Sequence, residues 1–183
     1  MLVNIALVIL RLVVGALFMG HGAQKLFGLF GGPGLAAMTG WLQGLGLRPA
    51  RLWAIVAGVG EFGGGLLLAL GFLTPIAALA LIAVMLTAIA TVHWTKGLWA
   101  ANGGYEYNVV LSAVAAALAL GGPGIYALDH VFGFAWPEPA TFLIGLAVVI
   151  VGVGATLRGI PWVLDTWAHR HGRVQIRGTG RAA

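Results

Sequence analysis

Five apolar stretches, each near the length of a helix that crosses a bilayer, constrain this chain more than any other feature. Their approximate bounds are 3–24, 52–71, 75–95, 107–120 and 140–158. A transmembrane helix needs about 20 predominantly apolar residues. Only 8% of the residues are charged, against about 25% in a soluble domain, which is too few to cover a surface in water. We therefore predict an all-α fold, a polytopic bundle of transmembrane helices.

Breaks between the apolar stretches divide the chain into three parts. Thr74-Pro75 separates the second stretch from the third, and Gly121-Gly122-Pro123-Gly124 ends the fourth. We predict four spans within residues 1–130, which the family resemblance described below implies to be a four-helix membrane core, an additional span within 131–160 and a basic cytoplasmic tail over 161–183. The first stretch has neither a basic leader nor a small-residue cleavage site after it, so we expect it to be retained as a span.

The segment 26–51 is the irregular part of the predicted core. Glycines and a proline break its first half, and apolar residues then recur at helical spacing. These residues are Leu35, Met38, Trp41, Leu42 and Leu45. The spacing predicts a short helix lying in the membrane interface. A re-entrant loop is the alternative, and the sequence leaves both open.

Lysine and arginine set the predicted orientation. In a five-span topology every basic residue outside the spans falls on one side, whereas a four-span topology would divide them. These residues are Lys25, Arg48, Arg51, Lys96, Arg158, Arg170, Arg173, Arg177 and Arg181. Positive residues mark the cytoplasmic side, so we read the net charge of +5 as a topology signal and expect no nucleic-acid partner. We predict a multi-pass protein of the bacterial cytoplasmic (inner) membrane, N-terminus out and C-terminus in.

Arg11 and Glu61 lie near the middle of the first and second spans. A lone charge in hydrocarbon costs about 3 kcal/mol or more, so each needs a partner. Because neighbouring spans are antiparallel, we expect an Arg11–Glu61 pair. The pair would either fix the helix register or form the polar floor of a ligand cavity. Glycines beside Glu61 would let a backbone or a ligand approach closely.

A second group of polar residues is predicted at the cytoplasmic edge, where three spans bring it to one level. His21 and Lys25 share a face of the first span, His93 ends the third, and Glu106 and Asn108 open the fourth. Gln24 joins this layer, and Trp94, Trp99, Tyr105 and Tyr107 surround it. Snorkelling of Lys25 and an aromatic belt explain part of the pattern. The histidines with Glu106 favour a functional layer instead, because histidine titrates near neutral pH and passes protons.

A quinone suits such a layer, since its ring sits near the interface and its reduction requires protons at two carbonyl oxygens. We predict His21, His93 and Glu106 as catalytic residues. The residues predicted to contact the quinone are Arg11, Glu61, Lys25, Trp94, Tyr105 and Asn108. Two histidines and a carboxylate could also hold zinc or iron, but no H-x-x-x-H or H-E-x-x-H spacing occurs, so we expect neither a metal nor a flavin. We expect Asp129, His130 and Glu138 to be solvated in an outer loop.

The residues just described resemble the DoxX family of small bacterial membrane proteins. The carriers are Arg11, His21-Gly22-x-x-Lys25-Leu26-Phe27-Gly28, Glu61-Phe62-Gly63-Gly64-Gly65 with Gly71 to Pro75, Asn102 to Tyr107, and Gly121 to Gly124 with Ala127-Leu128-Asp129. The resemblance covers about residues 3–130 and implies a four-helix membrane core. It also implies redox work, since relatives include membrane subunits of thiosulfate:quinone oxidoreductases and a mycobacterial member of an oxidative-stress complex. The fifth span and the basic tail depart from the family pattern.

These observations lead to two functional hypotheses. The first is a membrane subunit of a quinone-linked oxidoreductase or oxidative-stress redox complex. The chain has no cysteine, so its own thiols carry no electrons and a redox partner protein is expected. The second is a non-catalytic protein that binds or moves a small apolar molecule or assists assembly. Membrane lipid is a partner in both, and a homo-oligomer is compatible with either.

Overall fold

Seven α-helices form the part of the chain that the computed structural model describes, residues 1–158. They are α1 (Leu2–Phe27), α2 (Gly34–Gly44), α3 (Ala50–Leu70), α4 (Thr74–Ala88), α5 (Glu106–Gly121), α6 (Leu128–Val131) and α7 (Ala140–Arg158). A π-helical turn, Ile89–His93, and a 3₁₀ turn, Trp94–Lys96, prolong α4. The basic tail predicted over 161–183, with its arginines and with His169 and His171, lies outside the described residues.

Helices occupy all five predicted apolar stretches, so the prediction of an all-α membrane bundle is confirmed. Four helical segments are long and apolar enough to cross a bilayer: Leu2–Phe27, Ala50–Leu70, Thr74–Lys96 and Ala140–Arg158. Helix α5 has 16 residues and rises about 24 Å, somewhat less than the ~30 Å of a typical hydrocarbon core. Many large apolar side chains on these helices are exposed, as a lipid-facing surface requires.

Successive long helices run in opposite directions, which sorts the loops onto two ends of the bundle. The α2 segment and the connection between α4 and α5 lie at one end, which carries Lys25, Arg51, Lys96 and Arg158; we call it the basic end. The tight α3–α4 turn and the short helix α6 lie at the other, which we call the turn end. Apart from Arg11, which lies within α1, the lysines and arginines of the described chain thus gather at one end, as the five-span topology predicts.

Small residues bring α1 and α3 into close contact. A Cβ added to Gly15 would lie 2.6 Å from the carbonyl oxygen of Gly65, and one added to Gly22 would lie 2.8 Å from that of Gly58. Both are shorter than real Cβ contacts, so only glycine permits this approach. Lipid tails are as apolar as leucine, so packing of this kind holds membrane helices together.

Helix α4 is the centre of the bundle and packs against α3, α5 and α7. Buried side chains of α1, α3, α4 and α5 form the main core around Phe18, Leu68 and Leu81. Helix α7 is peripheral, because Phe142 is its only fully buried residue among those described. It leans on α4 and makes few contacts with α3, which leaves a gap between α3 and α7.

The predicted short helix in the segment 26–51 is present as α2. It packs against α3 and α1 at the basic end. Its Leu42 is buried with Leu47 and Ala54, and Leu157 of α7 packs against the same cluster. Helix α2 therefore covers the gap between α3 and α7 at this end.

Candidate functional site

The predicted Arg11–Glu61 pair does not form. Arg11 lies opposite Gly71, at the C-terminal end of α3, where a Cβ on that glycine would overlap the guanidinium. Glu61 stands ten residues earlier on α3, about 15 Å away along the helix axis. The prediction was wrong because it placed both residues at mid-membrane without knowing the register that the glycine contacts between α1 and α3 impose.

Glu61 instead pairs with Lys25, near the end of α1. The ammonium of Lys25 donates a hydrogen bond to Oε1 of Glu61, and the two form an ion pair. The Glu61 side chain is only 2% exposed, whereas that of Lys25 is 24% exposed. Oε2 of Glu61 is buried and has no hydrogen-bond partner. The pair therefore has one fully enclosed member and one member that reaches open space.

Arg11 belongs to a separate cluster at the turn end. Its Nη2 donates a hydrogen bond to the carbonyl oxygen of Tyr126, at 2.9 Å. Asp129 is 1% exposed and attracts Arg11 electrostatically without direct contact. Its carboxylate accepts hydrogen bonds from the backbone N–H groups of Leu73, at 2.7 Å, and Thr74, at 2.9 Å. These contacts join α1, the α3–α4 turn and α6.

The expectation that Asp129 is solvated was therefore wrong. The first N–H groups of a helix have no hydrogen-bond partner within that helix. At the start of α4, the carboxylate of Asp129 accepts two such hydrogen bonds, although Asp129 lies in a distant part of the chain. Its neighbour His130 is exposed as expected. Glu138 is half-buried, and its Oε2 accepts a bond from the N–H of Phe142 at 3.3 Å, at the start of α7.

A cavity of about 410 Å³ opens beside Lys25, in the gap between α3 and α7. Helix α4 forms its floor with Ala83, Val84 and Ala88, and the π turn continues that floor. Trp53, Val56 and Ala57 line it from α3, and Met38, Trp41 and Leu42 line it from α2. Val149, Gly152, Val153 and Thr156 of α7 close the far side. Nearly all of this wall is apolar.

Lys25 is the one charged side chain in that wall, among the described residues. The side-chain hydroxyls in the wall belong to Thr87, Thr91 and Thr156. Each donates its proton to the carbonyl oxygen four residues earlier, at 2.8, 2.8 and 2.9 Å. A hydroxyl has a single proton, so these threonines keep only lone pairs for a ligand. The ammonium of Lys25 is thus the cationic donor of the cavity.

The polar layer predicted at the cytoplasmic edge is only partly assembled. His93 and Glu106 are both engaged within the connection from α4 to α5. Nδ1 of His93 lies 2.7 Å from the carbonyl oxygen of Gly103, and Oε2 of Glu106 accepts a bond from the N–H of Ala100 at 2.9 Å. The rings of Trp94 and Tyr105 stack with their centres 5.7 Å apart. This part of the layer shapes the connection.

Two further residues of the predicted layer meet α5 and α4. His21 is exposed, and its ring lies 6.5 Å from that of Tyr107, edge to face. Asn108 is buried, and its Nδ2 donates to Sδ of Met85 at 3.3 Å. Gln24 donates to the carbonyl oxygen of Phe30. Of the predicted site residues, only Lys25 lines the cavity, and Glu61 lies directly behind it.

Sequence reasoning missed the cavity itself. Its wall combines α2, α3, α4 and α7, and no single stretch of the chain signals that combination. Trp41 and Trp53 were the available hint, since tryptophan in a membrane protein is most common at the interface. Within residues 1–158, no three side chains of His, Cys, Asp or Glu lie close enough together to hold a metal ion.

Comparison with known proteins gives one match. The DoxX family model matches residues 6–94. Searches of the curated proteins and of the solved structures returned no match. The matched range includes every helix of the cavity wall except α7, and also the Lys25–Glu61 pair. It ends before Asn102–Tyr107 and Gly121–Asp129, so the resemblance noted there has no support from the family model. Residues 6–94 of this integral membrane protein match the DoxX family model, and that match supports its assignment to the DoxX family.

Proposed function

We propose that this protein binds an isoprenoid quinone in the cavity beside Lys25 and serves as a membrane subunit of a quinone-linked oxidoreductase or oxidative-stress redox complex. The observation that carries the proposal is an apolar cavity between α3 and α7, with the ammonium group of Lys25 in its wall at the basic end of the bundle. A quinone has the matching form, because its ring carries two carbonyl acceptors and its tail is a hydrocarbon.

The volume and the apolar lining of the cavity support this ligand. Small-molecule sites commonly measure about 300–1,000 Å³ and combine an apolar wall with few polar groups. A volume of about 410 Å³ suits a quinone ring with the first part of its tail. Few contacts join α3 and α7, so the rest of the tail can extend between them into lipid.

The redox part of the proposal needs an electron donor outside this chain. The sequence has no cysteine, so a redox partner protein or a soluble reductant must supply the electrons. This chain can instead supply the protons that reduction of a quinone requires. His21 lies one helical turn before Lys25 on α1 and is exposed, which suits it to exchange protons between water and the paired side chains. His93 and Glu106 act indirectly in this scheme, by holding the connection from α4 to α5.

Quenching of tryptophan fluorescence tests the binding directly, because Trp41 and Trp53 line the cavity. The probe is a benzoquinone with a ten-carbon alkyl chain, titrated into the purified protein in nanodiscs. Ala88→Phe places a ring on the cavity floor, and we expect it to weaken saturable quenching by about tenfold. Ala113→Phe adds the same ring to an exposed position of α5 and should leave the quenching unchanged. Equal quenching in all three proteins would contradict the proposal.

The second hypothesis, a non-catalytic carrier of a small apolar molecule, draws support from the same cavity. Nearly all of its wall is apolar, and such a wall would accept any hydrocarbon. Lipid extraction of the purified protein separates the hypotheses. Enrichment of quinone over the surrounding membrane favours the redox subunit, whereas enrichment of another apolar lipid with no quinone favours the carrier.

We further propose residence in the bacterial cytoplasmic membrane, with the basic end in the cytoplasm. The gathering of basic residues at that end supports this orientation. Because the chain has no cysteine, single cysteines at the exposed Trp99 and Phe132 report the two ends cleanly. A membrane-impermeant maleimide added to whole spheroplasts should label Phe132→Cys and spare Trp99→Cys. The reverse pattern would invert the orientation.

A further inference from the structure

We infer that the cavity selects amphiphiles with an uncharged, hydrogen-bond-accepting head group and rejects those with an anionic head, because Glu61 cancels the charge of Lys25. This inference deepens the proposed function, since it takes the cavity beside Lys25 as the ligand site. A lysine at the end of an apolar cavity would by itself favour a fatty acid or another lipid anion. The pairing with Glu61 reverses that preference.

The charge balance around the cavity carries the argument. Among the described residues, Lys25 is the only charged side chain in the wall, and its only hydrogen-bond partner is Oε1 of Glu61. The ion pair has no net charge. An anionic head would approach Lys25 within reach of the Glu61 carboxylate, which is 2% exposed and would repel it, because charges buried in protein are poorly screened.

The donors of the cavity support the same conclusion. An ammonium group has three N–H donors, and Lys25 uses one of them on Glu61. The other two can be donated to a ligand oxygen without breaking the ion pair. A carbonyl oxygen accepts such a bond and brings no charge. The threonine hydroxyls in the wall have already donated their protons within α4 and α7 and cannot compensate an anion.

The position of Glu61 explains why it stays in place when a ligand arrives. Glu61 lies on α3 one turn beyond Ala57, which lines the cavity, and its side chain is 2% exposed. The neighbouring Gly58 and Gly65 pack directly against α1. The carboxylate therefore sits behind Lys25 between two tightly packed helices, and only the lysine reaches the ligand.

Competition between two matched probes tests the inference. Dodecanol and dodecanoate share a chain length and differ in the charge of the head, and at about pH 9 the acid is ionised. Each is titrated against the quinone-quenched protein, and recovery of tryptophan fluorescence reports displacement. We expect dodecanol to displace the quinone from the native protein at roughly tenfold lower concentration than dodecanoate.

The decisive variant is Glu61→Gln, which keeps the shape of the side chain and leaves Lys25 uncompensated. We expect its affinity for dodecanoate to rise about tenfold, with little change for dodecanol. Lys25→Met combined with Glu61→Gln removes both charges and should again prefer dodecanol. Preference of the native protein for dodecanoate, or an unchanged preference in folded Glu61→Gln, would overturn the inference.

The outcomes separate this inference from the proposed function. If the native protein shows no quenching that Ala88→Phe weakens, the ligand site itself is wrong. If quenching behaves as expected and the selectivity does not, only the role of Glu61 is wrong. Should Glu61→Gln fail to fold, the comparison of the two probes on the native protein still decides the inference.

Discussion

Both ends of the bundle hold buried charges, but the partners of those charges differ. At the turn end, Arg11 and Asp129 bond to backbone atoms of Tyr126, Leu73 and Thr74. At the basic end, Glu61 bonds to the side chain of Lys25, which faces a cavity. Backbone groups in a tight turn are fixed in position, so they cannot turn toward a ligand. A lysine side chain has four rotatable bonds and two spare donors.

From this difference we infer that a buried charge in this bundle points to a ligand site where its partner also lines a cavity. Ionisable residues at membrane depth are often read as functional by default. Here the turn-end cluster fastens α1, α6 and the α3–α4 turn together, so we assign it a structural role. The basic-end pair combines a buried carboxylate with a lysine that lines a cavity, so it is the pair that the proposed function places beside a ligand.

The largest expected effect comes from breaking the turn end. Asp129→Ala leaves the buried N–H groups of Leu73 and Thr74 unpaired and removes the charge that compensates Arg11. We expect a loss of about 3 kcal/mol or more in the free energy of unfolding, measured by titration with SDS in mixed micelles. His130→Ala, an exposed neighbour, is the control and should change little. A loss as small as that of the control would contradict the structural role.

The second-largest expected effect concerns the register between α1 and α3, which keeps Arg11 away from Glu61. Gly65→Ala places a Cβ 2.6 Å from the carbonyl oxygen of Gly15, whereas Gly63→Ala meets nothing within 4 Å. We expect Gly65→Ala to cost about 1–3 kcal/mol of unfolding free energy and to weaken quinone quenching, since it pushes α1 and Lys25 away from α3. Gly63→Ala should match the native protein in both measurements. Equal stability of the two variants would show that the α1–α3 contact is looser than described.

The smallest effects concern the histidines of the predicted layer. His93→Ala loses its bond to Gly103 and should cost about 1 kcal/mol in the same SDS titration. His21→Ala removes an exposed ring and should change stability by less than about 0.5 kcal/mol. Both should leave quinone binding intact in the quenching assay. A loss of binding in folded His93→Ala would move the ligand from the cavity toward the histidine layer.

Much of the helical framework was predictable because it depends on local sequence. An apolar run of some 20 residues has few alternatives in a membrane, and Thr74-Pro75 and the glycines at 121–124 mark breaks that backbone sterics impose. The short helix α2 was predicted from apolar spacing, with a re-entrant loop as the alternative. The basic end was also predictable, because the number of membrane spans decides on which side each loop with Lys or Arg falls.

The pairing of the charges could not be predicted in this way. Glu61 and Asp129 are both acidic and both lie in glycine-rich surroundings, and nothing local shows that the first faces Lys25 and the second caps α4. A shift of one helical turn between α1 and α3 would separate Lys25 from Glu61. That register depends on which glycines touch, a property of two helices packed together.

By itself, the sequence determined that this chain lies in a membrane, roughly where its five long helices begin and end, and that Arg11 and Glu61 are charges within them. Only the tertiary structure decided that Lys25, and not Arg11, meets Glu61, and that α7 leans on α4 to leave a cavity beside them. The physical reason is the separation along the sequence of the residues that interact. Hydropathy and backbone sterics act over neighbouring residues, whereas ion pairs and cavities arise where distant segments meet.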